Sequence, residues 1–234
     1  MNPAVVERRF GDAAASAEAL AQDIAAALRE GLRNRARASL VLSGGRSPLP
    51  FLHALARQPL EWLHVYLTLV DERWVDAGSP DSNELLLRQH LLSGPAADAH
   101  FVPLKTADPT PEQAVPERSR ALADLPRPFD AVVLGMGEDG HTASLFPGAA
   151  ATAAALDPQG QAVLTAVQPL TAPHPRLSFT LAGLLDARGI YLQIQGDAKR
   201  RVYEQARSDA AASSLPIAAV LRQTRVPVYV YLID

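Results

Sequence analysis

Four consecutive apolar side chains, Ala131, Val132, Val133 and Leu134, run without interruption into Gly135, and this pattern constrains the fold more than any other feature of the chain. A strand with one wet face alternates apolar and polar residues, whereas a strand apolar at every position is buried on both faces, as in parallel sheets covered by helices. Further strands are expected at 39–42, 65–70, 100–102, 162–167, 177–180, 190–195 and 226–232. Between them, helical spacing or helix signals mark 12–33, the segment ending at Ala56, 83–92, 112–122, a short turn to Leu185, 198–206 and 217–222. Strands alternating with helices imply crossovers, so the expected class is α/β with a mainly parallel sheet. Segments 145–160 and 168–176, punctuated by Pro147, Gly148, Pro158, Gly160, Pro169, Pro173 and Pro175, are expected as loops.

The 234 residues are read as one domain spanning 1–234, and 48% hydrophobic residues supply a packed core. A net charge of −3 argues against a nucleic-acid partner, because proteins that grip phosphate backbones carry a basic excess. The basic cluster Arg29, Arg33, Arg35 and Arg37 is read instead as a solvated helix end complementing the macrodipole. No apolar run reaches the length of a membrane span. Glu7, Asp12, Glu18 and Asp23 spoil the acid-poor composition of a transit peptide. The lack of cysteine removes disulfides and thiolate chemistry and fits a cytoplasmic location.

Ligands of open α/β sheets collect beyond the carboxyl ends of the strands, and three such loops stand out. The first, SGGRSP at 43–48, places Gly44 and Gly45 before a helix, with Ser43, Arg46 and Ser47 adding donors. Bare backbone N–H groups at a helix N-terminus suit an anion or polyol; the alternative is an ordinary strand-to-helix turn. The second, DERW at 71–74, sets Asp71 and Arg73 two residues apart, on one side of an extended segment. Such a pair can bind sugar hydroxyls or stabilise developing charge, or be an exposed ion pair of little worth. Ser82 and Asn83 are read as the cap of the next helix.

The third loop, GMGEDGHTASLFPG at 135–148, carries most information. Gly135, Gly137 and Gly140 match a dinucleotide fingerprint, but Pro147 follows too soon for the helix it must open, and Asp157 lies in a loop. What remains is His141 with Asp139 two positions before it, a general base with a carboxylate able to fix its tautomer. The other histidines show no metal-ligand spacing, and no G-x-S-x-G elbow occurs, so neither a metal nor a serine nucleophile is expected. Arg176, heading the strand at 177–180, and Lys199, in the first turn of a helix after Gly196, are candidate phosphate ligands, or else surface cations.

Taken together and in order, SGGRSP, DERW with DSN at 81–83, GMGEDGHTASLFPG, RLSFT at 176–180 and GDAK at 196–199 resemble the 6-phosphogluconolactonases, from about residue 38 to the C-terminus. The resemblance implies a Rossmann-like α/β fold related to the glucosamine-6-phosphate deaminases, with helices on both faces of the sheet. It implies cofactor-independent hydrolysis of 6-phospho-D-glucono-1,5-lactone, the second step of the oxidative pentose phosphate pathway. It makes His141 the base with Asp139 beside it, lines the substrate site with Asp71 and Arg73, gives the phosphate to Arg176 and Lys199, and borders the sugar with Ser43, Gly44, Gly45 and Ser47. The expected partner is a phosphorylated sugar lactone, and the assembly a monomer or small homo-oligomer. Asp76 departs from the proline that often follows DERxV, which bears on the local loop only. The related deaminases continue from D-G-H towards N-E-P with an acid–base glutamate; here Phe146 stands at that place. A sugar-phosphate sensor would need no base.

Overall fold

The computed structural model describes residues 5–208 and 214–233. In chain order the elements are β1 (Val5–Phe10), α1 (Ala13–Arg35), β2 (Ala38–Leu42), α2 (Leu49–Ala56), β3 (Val65–Leu69), β4 (Asp71–Arg73), α3 (Asn83–His90), β5 (His100–Val102) and α4 (Pro111–Ala123). There follow β6 (Ala131–Leu134), α5 (Thr152–Ala155), β7 (Leu164–Val167), β8 (Arg176–Phe179), α6 (Leu181–Leu184), β9 (Ile190–Gln195), α7 (Asp197–Ser208), α8 (Pro216–Arg222) and β10 (Val228–Ile233). Seven strands form one parallel sheet in the order β1-β10-β9-β6-β2-β3-β5. The all-apolar β6 sits near its middle, and every residue of β2 and β6 is buried. The helices flank this sheet, as the alternation of elements predicts.

Local chemistry explains the elements. Asp12 caps α1 by accepting from the Ala15 N–H at 2.7 Å, and Leu20, Ile24 and Leu28 recur on its buried face. The helix stops at Ala36, which takes a left-handed φ of 57° and returns its N–H to Leu32. Arg33 and Arg37 are exposed at this end, as the basic cluster suggests, but Arg35 is not simply solvated. Arg35 pairs with the fully buried Asp130 carboxylate at 2.6 Å and donates to the carbonyls of Arg127 and Pro128. That contact ties α1 to the chain just before β6.

Three other features depart from the sequence reading. β1 is an additional parallel edge strand beside β10; Glu7, Arg8 and Arg9 hide it from pattern reading and protect the edge. Tyr203 and Arg207 hold Glu7, and Asp23 holds Arg8. Segment 145–160 contains the short helix α5 rather than loop alone. The third departure concerns the site directly: residues 71–74 are not simply a loop, and 176–179 do not join the parallel sheet. They pair antiparallel in a second sheet of order β4-β8-β7.

Val70 is the junction between the sheets, its N–H donating to Leu42 of the large one (2.9 Å) and its carbonyl accepting from Phe179 of the small one (2.8 Å). Acidic residues disfavour strands, and β4 forms because its carboxylates are satisfied individually. Glu72, fully buried, accepts from the backbone N–H groups of Arg73, Asn83 and Glu84 at 2.7–2.8 Å and from the Ser82 hydroxyl at 3.1 Å. It thereby clamps the start of α3 to β4. Burial pushes the Glu72 carboxyl above its ordinary value against the pull of those N–H groups.

Candidate active site

Because the large sheet is parallel, the carboxyl ends of β2, β3, β6 and β9 open on the same edge, and the small sheet walls that edge on one side. A cavity of about 310 Å³ lies there. Ser43, Gly44, Gly45, Arg46 and Ser47 line it from the loop after β2, Asp71 and Arg73 from β4, and Gly135, Gly137 and His141 from the loop after β6. Arg176 enters from β8 and Lys199 from the first turn of α7. The structure thus brings together every candidate site residue named from the sequence except Asp139, which reaches the cavity through His141.

The loop after β6 opens no helix at its glycines; it folds back on itself. Gly137 N–H donates to the His141 carbonyl at 2.9 Å, Gly140 N–H to the Gly137 carbonyl at 3.1 Å, and the Thr142 hydroxyl to the Gly135 carbonyl at 2.9 Å. This turn puts Asp139 Oδ1 2.6 Å from His141 Nδ1 and 3.1 Å from the His141 backbone N–H. A carboxylate can only accept, so Nδ1 carries the proton and Nε2 is the basic ring nitrogen. Gly137 is required by this arrangement, since any Cβ there would run into both the imidazole and the Asp139 carboxylate. The Phe146 ring packs against the imidazole with centroids 4.5 Å apart.

Asp71 is not an exposed ion-pair partner of Arg73. It is buried, and its Oδ2 accepts from the Ser144 hydroxyl at 2.5 Å, which joins the histidine loop to the small sheet. The Ser144 N–H donates to the Ser178 hydroxyl at 3.1 Å in the same seam. Arg73 donates to the Asp81 carbonyl at 2.6 Å. Arg176, directly opposite Arg73 in the β4–β8 register, donates to the carbonyls of His174 and Pro173. Burial lowers the Arg176 pKa from the usual arginine range, as does the adjacent Arg73 charge, against the opposing pull of Asp71. In a chain of net charge −3, the described lining residues set Arg46, Arg73, Arg176 and Lys199 against Asp71, a local field suited to an anion.

Other lining residues emerge only in three dimensions. Ser82 caps α3, accepting from the Leu85 N–H at 3.2 Å. Asn83 takes no part in that cap. Its Nδ2 donates to the Asp71 carbonyl at 2.9 Å, and it lies beneath Gly44, where a Cβ would strike it. Gln193 lines the cavity from β9; its one sequence signal is a lone amide inside the apolar run at 190–194. Among the described residues no group of three or more His, Cys, Asp or Glu is placed to hold a metal ion, and no helix is long and apolar enough to cross a membrane.

Comparison with known proteins agrees with this geometry. Residues 11–229 match the family described as glucosamine-6-phosphate isomerases/6-phosphogluconolactonase. A 6-phosphogluconolactonase of Rhizobium meliloti (strain 1021) is 42% identical over 222 residues, covering 95% of this chain and 96% of the relative. One from Pseudomonas aeruginosa is 42% identical over 213 residues, covering 91% and 90%. The crystal structure of a 6-phosphogluconolactonase from Shewanella baltica OS155 superposes with a TM-score of 0.95 at 42% identity, covering 100% of both chains. A family match across nearly the whole chain, with relatives this similar, establishes that the protein belongs to the glucosamine-6-phosphate isomerase/6-phosphogluconolactonase family.

Proposed function

We propose that the protein is a 6-phosphogluconolactonase, hydrolysing 6-phospho-D-glucono-1,5-lactone to 6-phospho-D-gluconate in the oxidative pentose phosphate pathway, with His141 as general base. The observation that carries this reading is the Asp139–His141 pair, 2.6 Å apart, at the wall of a cavity rich in cationic side chains. His141 Nε2 takes a proton from water as the water oxygen attacks the lactone carbonyl. The tetrahedral intermediate then collapses with cleavage of the bond to the ring oxygen, and the imidazolium returns the proton to that oxygen. Asp139 holds the imidazole in the required tautomer and stabilises its charged form.

Charge develops on the carbonyl oxygen during attack, and Arg73 with backbone N–H groups of the site loops stabilises it. Arg176 and Lys199 bind the phosphate, while the loop from Ser43 to Ser47 borders the sugar hydroxyls. Asp71, with Oδ2 engaged by Ser144, offers its other oxygen to a hydroxyl of the substrate. Phe146 cannot exchange protons, which favours lactone hydrolysis over the deaminase chemistry of the wider family. The test is turnover of freshly made lactone, corrected for spontaneous ring opening, in wild type and His141→Ala. Loss of the positioned base should cost roughly 10²–10⁴-fold in rate.

A further inference from the structure

The β4–β8 register puts Arg73 and Arg176 directly across from each other, an arrangement that like charges resist. What holds them lies in two loops that flank these strands in the chain, at Asp81 and at 173–174. Arg73 donates to the backbone carbonyl of Asp81 (2.6 Å), and Arg176 donates to that of His174 (3.3 Å) and of Pro173 (3.0 Å). The side chains of those same two loops meet: His174 Nε2 lies 3.1 Å from Asp81 Oδ2. His174 adopts a left-handed φ of 66° between two prolines, a conformation that non-glycine residues rarely take and that a following proline further disfavours. Such backbone persists where surrounding contacts over-determine it. The Asp81 pairing and the Arg176 hydrogen bond are two such contacts.

We infer that His174 and Asp81 form a clasp beside the cavity that sets the position of the Arg73 and Arg176 guanidiniums, and so the site's affinity for an anionic substrate. Neither residue reacts; both act through the arginines whose acceptors they carry. The inference rests on the proposed function only in naming the anion as a phosphorylated lactone.

The test uses the full chain as wild type, His174→Ala, Asp81→Ala and the double variant. It reads kcat and KM for the lactone and, by calorimetry, the affinity for inorganic phosphate. Both side chains are partly exposed, 33% for His174 and 59% for Asp81, so the variants should fold. The clasp predicts that each single variant raises KM and weakens phosphate binding about three- to fivefold. Because Arg73 also meets the developing oxyanion, the same clasp predicts that kcat falls alongside, by at most about the same factor, and that the double variant is no worse than the single ones. Charge alone makes the opposite forecast for Asp81→Ala, because removing an acid beside an anion site should tighten binding. Unchanged or tighter phosphate binding in Asp81→Ala, or additive losses in the double variant, overturns the clasp. Phosphate affinity that responds as predicted in a protein without lactone turnover would sustain the clasp and reject the proposed function instead.

Discussion

Asp139 holds His141 twice with one oxygen, at 2.6 Å from Nδ1 and 3.1 Å from the backbone N–H. The pair is therefore fixed in direction as well as in distance. An asparagine there can present its amide N–H to Nδ1 and reverse the tautomer. Asp139→Asn should lower kcat roughly 10²-fold or more with little change in KM. Steady-state kinetics beside a melting curve will separate this loss from unfolding.

Gly137→Ala tests the same pair from the other side. Its Cβ would displace the imidazole and the carboxylate together, and both of those side chains are partly exposed. Activity should fall about as far as in Asp139→Asn, while the melting temperature moves little, because no core contact is lost. A variant with wild-type kcat would show that the close approach of Gly137 is not needed for the reaction.

Ser144 donates to Asp71 Oδ2 at 2.5 Å, linking residues 73 positions apart in sequence. Ser144→Ala leaves a buried carboxylate short of a donor and should cost roughly 1.5–3 kcal/mol of stability. KM should rise as Asp71 loses its fixed orientation. Urea denaturation and KM measured on one preparation check both effects.

These contacts also mark where the sequence was legible and where it was not. The loops at 43–47 and 135–148 could be read because glycines, acids and a histidine cluster at the ends of apolar strands. Arg176 and Lys199 could be placed because each borders a strand end. Asn83 could not, because its cap position masks a side chain that turns back to β4. β4 was unreadable for a related reason: its charges look like loop, and three of the four groups that satisfy Glu72 lie ten to twelve residues away. β1 was hidden by edge charges whose partners are distant in sequence. Local pattern reveals burial and turns, whereas long-range hydrogen bonds appear only once the chain is folded.

Glu72 supplies a pH-dependent prediction. Glu72→Ala strips an acceptor from three backbone N–H groups and a hydroxyl and should cost roughly 3 kcal/mol or more. For the intact residue, a folded-state pKa raised by burial means a stabilising contribution present at low pH and lost as pH rises through that folded value. Wild type should therefore gain stability relative to Glu72→Gln as pH falls from neutrality towards the ordinary glutamate value of 4.5. Paired melting curves across that range give the sign.

The most direct measurement is hydrolysis of fresh 6-phospho-D-glucono-1,5-lactone by wild type and His141→Ala, with unphosphorylated glucono-1,5-lactone run alongside and spontaneous opening subtracted. General-base catalysis by His141 beside a cationic phosphate site predicts selective acceleration of the phosphorylated lactone by wild type and a loss of roughly 10²–10⁴-fold in the folded variant. Near wild-type turnover by a folded His141→Ala protein would contradict it.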